Sequence, residues 1–437
     1  MKSSKSILIT VLALWLVIAT AYLIRTPYDH RQHDIEGHIQ YVQTIISEHR
    51  FPKSHEAFES HQPPLYYLIS SFIAPVSLSK EKMDVLYNGH CPSEIKKHLL
   101  SVQFFSILYG AIALWIIGLL LQNVTDDKIA QLLALLFIAT TPKFVFVFST
   151  YSNDSLATLL AIAIVFISYK LYLNWSWTLA GVLLAVATVG IYTKYTIVFC
   201  MTIISLICLK NLLQKKSWDI TQKRIIAIFA LSAVLFSPWM VFHIYRHTGL
   251  PIVVGCEDKI NRNFSPREIA NTFRAFVKIP LIQQTTHEWD DPWAHPSPDS
   301  PLTKMYDYFA FSFITSIIGE FMFYVPSARF IWVLLFIHLF ARISAFKEIF
   351  KNNITRLAAA FIFLSYALQI FIVSFMKLID GSVEDYRYIC CSWIGWAVLY
   401  ASTLSRKSSW SWISRVIFIL GIIIQIYFLM LVKGSDI

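Results

Sequence analysis

The sequence predicts an all-α, polytopic integral membrane protein with about eleven transmembrane helices, and three observations lead there. Hydrophobic residues make up 56% of the 437-residue chain and charged residues only 15%, where a soluble domain carries about a quarter charged residues. The mean hydropathy is +0.56. Apolar runs of about 20 residues, each enough as a helix to cross about 30 Å of hydrocarbon, recur along the whole length. Basic residues gather in short stretches between those runs.

The runs lie at about 6–24, 99–121, 129–149, 155–172, 177–192, 195–213, 225–244, 328–345, 357–377, 389–405 and 412–432. Lys2 and Lys5 precede the first. Lys210, Lys215, Lys216, Lys223 and Arg224 surround the gap after the sixth. Arg342, Lys347, Lys351 and Arg356 fill the gap after the eighth, and Arg406 with Lys407 the gap after the tenth. Eleven alternating spans that start in the cytoplasm bring all four clusters to the inner side, as the positive-inside rule requires. The net charge of +10 is therefore a matter of loop topology and not a nucleic-acid footprint. Ala19-Thr20-Ala21 is a passable signal-peptidase site, but the first run is expected to stay as an uncleaved anchor.

Residues 1–437 read as one membrane domain with two long outer segments, about 25–98 and 245–327. Long loops in compact proteins are usually functional or disordered, and both are too rich in apolar and aromatic residues for disorder. The six cysteines have no CxxC spacing, which argues against a zinc or disulfide framework. Cys91 and Cys256 share the outer side, so the topology permits a pairing without requiring one.

The first outer segment carries six histidines between His30 and His61, several carboxylates and the run HQPPLYY. Groups so polar are costly within a bilayer, so they belong at its surface. Ile35, Ile39, Val42 and Ile46 repeat at helical spacing and form an apolar face, while Asp34, His38 and Tyr41 share another. Pro52 ends this helix. Leu65 to Val76 forms a second apolar stretch, too short to span. Interfacial helices are the natural reading, with a carboxylate and an imidazole side by side. Periodicity alone fits equally well with a plain solvated face.

HDIEGHIQYVQTI, then RFP and HQPPLYYLIS, resemble the first outer loop of the lipid-linked-sugar glycosyltransferases of the GT-C fold, in the bacterial branch related to protein O-mannosyltransferases and the aminoarabinose transferase of lipid A. The similarity recurs in order along nearly the whole chain. Tyr151-Ser152-Asn153-Asp154 opens the fourth span, Thr193-Lys194-Tyr195 resembles the family's TK turn, and Tyr386-Arg387-Tyr388 its RY before a late span. One departure is that Ile35 separates Asp34 from Glu36, where many relatives have adjacent Asp-Glu.

The resemblance implies transfer of a sugar from a polyprenyl-phosphate-linked donor to an acceptor at the outer face, with no nucleic acid involved. Cations at the surface hold the donor phosphate and stabilise the charge growing on the leaving group; Lys194 and Arg387 are the candidates. A carboxylate takes the acceptor's proton as it attacks the anomeric carbon. Asp34 is the candidate base, and Asp154 its orienting partner or a helix cap. His38, Tyr41, Gln62 and Tyr66 are candidate substrate contacts. Asp34, His38 and a further carboxylate form a mixed oxygen–nitrogen set that suits several divalent metals without selecting one. In the second outer segment, EWDDPWAHPSPDSP offers Trp289 and Trp293 to cover a sugar or to anchor at the interface.

A transporter or flippase is the main rival. Transporters bury ionisable residues at mid-membrane, whereas charges here crowd toward the span ends, with Lys143 the nearest exception. The absence of an appended soluble domain points to a bacterial inner membrane.

Overall fold

The computed structural model describes residues 2–26, 35–53, 56–74, 93–215, 220–241, 313, 316–318, 328–379, 386–406 and 409–431. Helices run Lys2–Arg25 (α1), Ile35–Glu48 (α2), Leu65–Ile73 (α3), Ser93–Leu121 (α4), Lys128–Thr140 (α5), Pro142–Val147 (α6) and Asn153–Leu173 (α7). They continue as Trp177–Thr193 (α8), Thr196–Lys215 (α9), Ile220–Trp239 (α10), Ala328–Phe346 (α11), Asn353–Ile379 (α12), Trp393–Leu404 (α13) and Ser409–Leu431 (α14). Short 3-10 turns occupy Phe58–His61 and Tyr386–Ser392. Among the described residues there is no strand.

Every predicted apolar run is largely helical. Ser6–Arg25, Leu99–Leu121, Asn153–Leu173, Ile220–Trp239 and Ser411–Leu431 are long and apolar enough to cross a membrane, and shorter apolar helices accompany them. The chain is an all-α integral membrane protein, as its composition predicts.

Two compact units divide it. One contains Met1–Arg31, Leu121–Phe146 and Val254–Ile437; the other contains Gln32–Leu120 and Val147–Val253. In the first, α5 packs against α1, α13 and α14, and α13 against α12. A Cβ on Gly395 would lie 2.8 Å from Ile362 Cγ1, so only glycine lets α13 approach α12 this closely. In the second, α8 packs against α7 and α10, and α3 joins α2 to α7 and α8.

Two details depart from the sequence reading. The run at 129–149 is not one helix but α5 and α6, broken at Thr141. Pro142 has no N–H and clashes with the preceding turn. The Lys143 N–H is carried out of the helix and donates instead to the Ile317 carbonyl at 2.9 Å. Ile317, expected on the second outer loop, is fully buried in this unit. Arg342 is likewise no loop residue. It lies within α11, buried, its guanidinium over the rings of Phe313 and Trp396 and donating to Ser316 Oγ at 2.5 Å.

Pro238 falls inside α10, and the carbonyls it disturbs find other donors. Ser237 Oγ donates to Val234 O at 2.7 Å and Tyr192 OH to Leu235 O at 3.1 Å. Backbone acceptors at membrane depth need such replacements.

Alternating spans demand that loops on one side meet one another, and within each unit they do. In the first unit Glu348 pairs with Arg406 at 2.5 Å and Lys351 at 3.3 Å and accepts from Ser402 Oγ at 3.0 Å. There too Arg415 pairs with Asp127, the N-cap of α5. In the second unit Arg224 stacks over Trp175 and Trp177. All of these lie in, or within a few residues of, segments the charge pattern assigns to the inner side.

Candidate functional site

The polar motifs of the second unit come together at the other helix ends. Helix α2 begins at Ile35 and ends before Pro52, as its pattern predicts, but its polar face is not solvated. His38 is 4% exposed and Tyr41 fully buried, along with Ile35, Ile39 and Val42. What covers them is the HQPPLYY segment. Gly37 lets the Phe58–His61 turn that leads into it approach α2, because a Cβ there would lie 3.1 Å from Phe58 Cβ and 3.2 Å from Glu59 Cγ.

Pro64 caps α3 with helical dihedrals and needs no N–H there. Two tyrosines then enter the core. The Tyr67 ring stacks on Tyr41 with centroids 3.8 Å apart and planes 5° apart, and its hydroxyl meets His38 Nδ1 at 2.9 Å. Tyr66 sets its edge against Tyr151. Burial raises all three phenols well above their ordinary pKa, with the charge of Glu59 adding to the effect at Tyr67. They remain protonated and so stay hydrogen-bond donors at any working pH.

The YSND turn is built by capping. Ser152 Oγ accepts the Asp154 N–H at 3.2 Å and donates to Asp154 Oδ2 at 3.0 Å. The N-cap of α7 is thus Ser152, not Asp154, which sits in the first turn, where its charge suits the helix dipole. Lys194, the residue at which α8 ends, places Nζ 2.6 Å from Asp154 Oδ1. Both side chains are more than nine-tenths buried. An interfacial Lys that snorkels keeps its head in water; this one is enclosed with its counter-ion.

Asn153 links the turns. Its Nδ2 donates to Gln62 Oε1 at 3.2 Å and to the Thr193 carbonyl at 3.5 Å. Tyr195 OH donates to His61 O at 3.1 Å, and Tyr41 OH to Gln62 O at 3.4 Å. Four stretches far apart in sequence, 38–41, 61–67, 151–154 and 193–195, therefore form one hydrogen-bonded and stacked cluster.

Of the predicted site residues, His38, Tyr41, Gln62, Tyr66, Asp154 and Lys194 belong to this cluster. Asp34 lies outside the described residues, as do Cys91, Cys256 and the Trp289–Trp293 stretch. Arg387 belongs to the other unit, in the 3-10 turn, where its guanidinium lies over the Tyr388 ring and donates to its hydroxyl at 3.1 Å. Among the described residues no three His, Cys, Asp or Glu side chains gather in a way that would hold a metal. Sequence reasoning missed Tyr67, Ser152 and His61 as individuals. Each neighbours a residue it selected, but only the stack, the cap and the ring contacts distinguish them.

Residues 94–242 match the family model of the dolichyl-phosphate-mannose-protein mannosyltransferases. The resemblance read from the motifs holds there. That segment contains the YSND and TKY turns, while the first outer segment and Arg387 fall outside it. No curated protein sequence matches the chain. Among solved structures the chain is similar to the archaeal oligosaccharyltransferase AglB from Archaeoglobus fulgidus, in complex with an inhibitory peptide and a dolichol-phosphate. The identity is 12% and the TM-score 0.45, over 98% of this chain and 56% of that one. The chain thus spans little more than half the length of that structure.

Proposed function

We propose that this protein is a membrane glycosyltransferase that moves a sugar from a polyprenyl-phosphate-linked donor to an acceptor at the outer face of the membrane. The observation that carries the reading is the convergence of the four polar motifs on one cluster at the helix ends opposite the Arg224–Trp175–Trp177 stack of the same unit. A transporter requires its ionisable groups along a path through the bilayer; here the motifs of the second unit concentrate at one level.

In this reading the acceptor's oxygen or nitrogen attacks the anomeric carbon while the carbon–oxygen bond to phosphate breaks, with inversion at that carbon. The acceptor's proton passes to a carboxylate and the electron pair leaves with the polyprenyl phosphate. Asp154 is a poor base, because one oxygen accepts from Ser152 and the other pairs with Lys194. Asp34, four residues before His38 in the sequence, remains the assigned base. Arg387 carries the bidentate fork suited to phosphate. Lys194 adds its charge as half of an ion pair, and so contributes less than an unpaired cation. His38, Tyr41, Gln62 and Tyr66 shape the surface that meets the sugar and acceptor.

The purified, detergent-solubilised protein should release sugar from a panel of tritium-labelled polyprenyl-phosphate sugars, faster with acceptor than by hydrolysis. Arg387→Ala should weaken binding of the accepted donor, and Arg387→Lys should restore only part of it. Sealed vesicles that move the intact labelled lipid between leaflets, with no cleavage of any donor, would establish the transporter instead.

A further inference from the structure

His61 is the one histidine of the HQPP turn, and its surroundings determine which of its nitrogens carries the proton. Two backbone carbonyls, which only accept, stand at the ends of a chain of hydrogen bonds through it. At one end the Thr193 carbonyl lies 3.5 Å from one terminal atom of Asn153, so that atom is the amide nitrogen. The same nitrogen lies 3.2 Å from the Gln62 side chain, whose facing atom must be the oxygen. The other terminal atom of Gln62 is then an N–H donor, 3.2 Å from His61 Nε2. His61 Nε2 must accept. At the far end His61 Nδ1 lies 3.2 Å from the Phe58 carbonyl and must donate. The assignments made from the two ends agree, and every bond in the chain has one donor and one acceptor.

We infer that His61 is a positioning residue: as the neutral tautomer protonated on Nδ1, it fixes the amide of Gln62 against Asn153 and so joins the HQPP turn to the YSND and TKY turns. This rests on the reading of that cluster as the transfer site. Protonation at Nε2 sets two donors against each other at the Gln62 amide. Turning that amide over only moves the conflict to Asn153, whose nitrogen is held by the Thr193 carbonyl. Loss of the His61 lone pair therefore frees Gln62. The titratable and charged groups around this link, among the described residues, are Glu59 on the same turn, Tyr41 from α2, Tyr195 from the TKY turn and the Asp154–Lys194 pair. The three elements that meet His61 and Gln62 thus bring two phenols and a paired charge.

The test has one arm that needs no substrate. In protein labelled with nitrogen-15 at histidine, with His61→Gln used to assign the signal, His61 should be protonated on Nδ1 and bare on Nε2. The opposite tautomer, or fast exchange between the two, overturns the inference whatever the protein's activity. The second arm uses hydrolysis of a labelled polyprenyl-phosphate sugar. His61→Phe removes the acceptor and should lower turnover about 10-fold or more, as misplacement of a substrate-facing group does. His61→Gln places an oxygen near the former Nε2 and should retain near-normal turnover. A wild-type protein that turns over no donor defeats the transferase reading and leaves the tautomer result standing. Active wild type with His61→Gln as impaired as His61→Phe defeats the positioning role alone.

Discussion

The two polar regions of this protein are held by different physics. At the helix ends of the first unit that the charge pattern assigns to the inner side, the contacts are charge on charge: Glu348, with no exposed surface, against Arg406 and Lys351, and Asp127 against Arg415. At the motif cluster of the second unit one ion pair, Lys194–Asp154, sits in a web of amides, hydroxyls, phenols and an imidazole. Charges attract over distance and tolerate a range of angles, so they suit helix ends that need only be held. Neutral groups attract only when donor faces acceptor, so a web of them fixes orientation. A site that must place a sugar and an acceptor needs the second kind of holding.

The sharpest way to probe that difference is the carboxylate assigned to catalysis. Asp34→Asn keeps size and hydrogen bonding but cannot take a proton as a carboxylate does. Transfer should fall roughly 100-fold or more, in line with general-base contributions, with donor affinity little changed. Glu36→Gln, displaced from the family's pattern, should do less. Near-normal transfer by Asp34→Asn alongside an inactive Glu36→Gln would mean the other carboxylate is the base.

The ion pair within the web is the next point of attack. Lys194→Met leaves Asp154 buried beside no cation and should cost about 3–5 kcal/mol of stability, as breaking a buried pair does. Adding Asp154→Asn should recover much of that loss, read as the thermal midpoint in detergent. Donor binding by the double variant then sorts the roles. Near-normal affinity makes Lys194 chiefly the partner of Asp154, whereas affinity lost in single and double variants alike makes it a phosphate ligand.

The inner knot should respond more mildly and without touching the chemistry. Arg406→Ala leaves Glu348 with Lys351 and Ser402, so the loss should be about 1.5–3 kcal/mol, the scale of a hydrogen bond to a charged group. Donor affinity per folded molecule should be unchanged. A change in donor affinity equal to that in Arg387→Ala would erase the distinction between the two regions.

The limits of sequence reading follow the same division. The first helix of the outer segment is legible because Ile35, Ile39 and Val42 repeat locally, but its polar face reads as wet. Only the docking of Tyr67 on Tyr41 and His38 shows it to be enclosed. A proline inside an apolar run is visible at Pro142, yet hydropathy still averages over it and reports one span. The rescue of the Lys143 N–H comes from Ile317, far along the chain. Arg342 reads as a loop cation because positive charge is counted without regard to what covers it.

What the sequence determined by itself is what depends on neighbours along the chain: apolar length, helical period and the grouping of basic residues between the apolar runs. Each follows from the hydrogen-bonding demand of a backbone in lipid or from charge transfer across it, and both act locally. Tertiary structure alone decided which of the many histidines, tyrosines and amides meet. Tyr67 rather than Tyr66 holds His38, and Asn153 joins Gln62 to Thr193. Those choices depend on contacts between residues up to 134 positions apart, as between His61 and Tyr195 at 3.1 Å, and no periodicity in the chain encodes them.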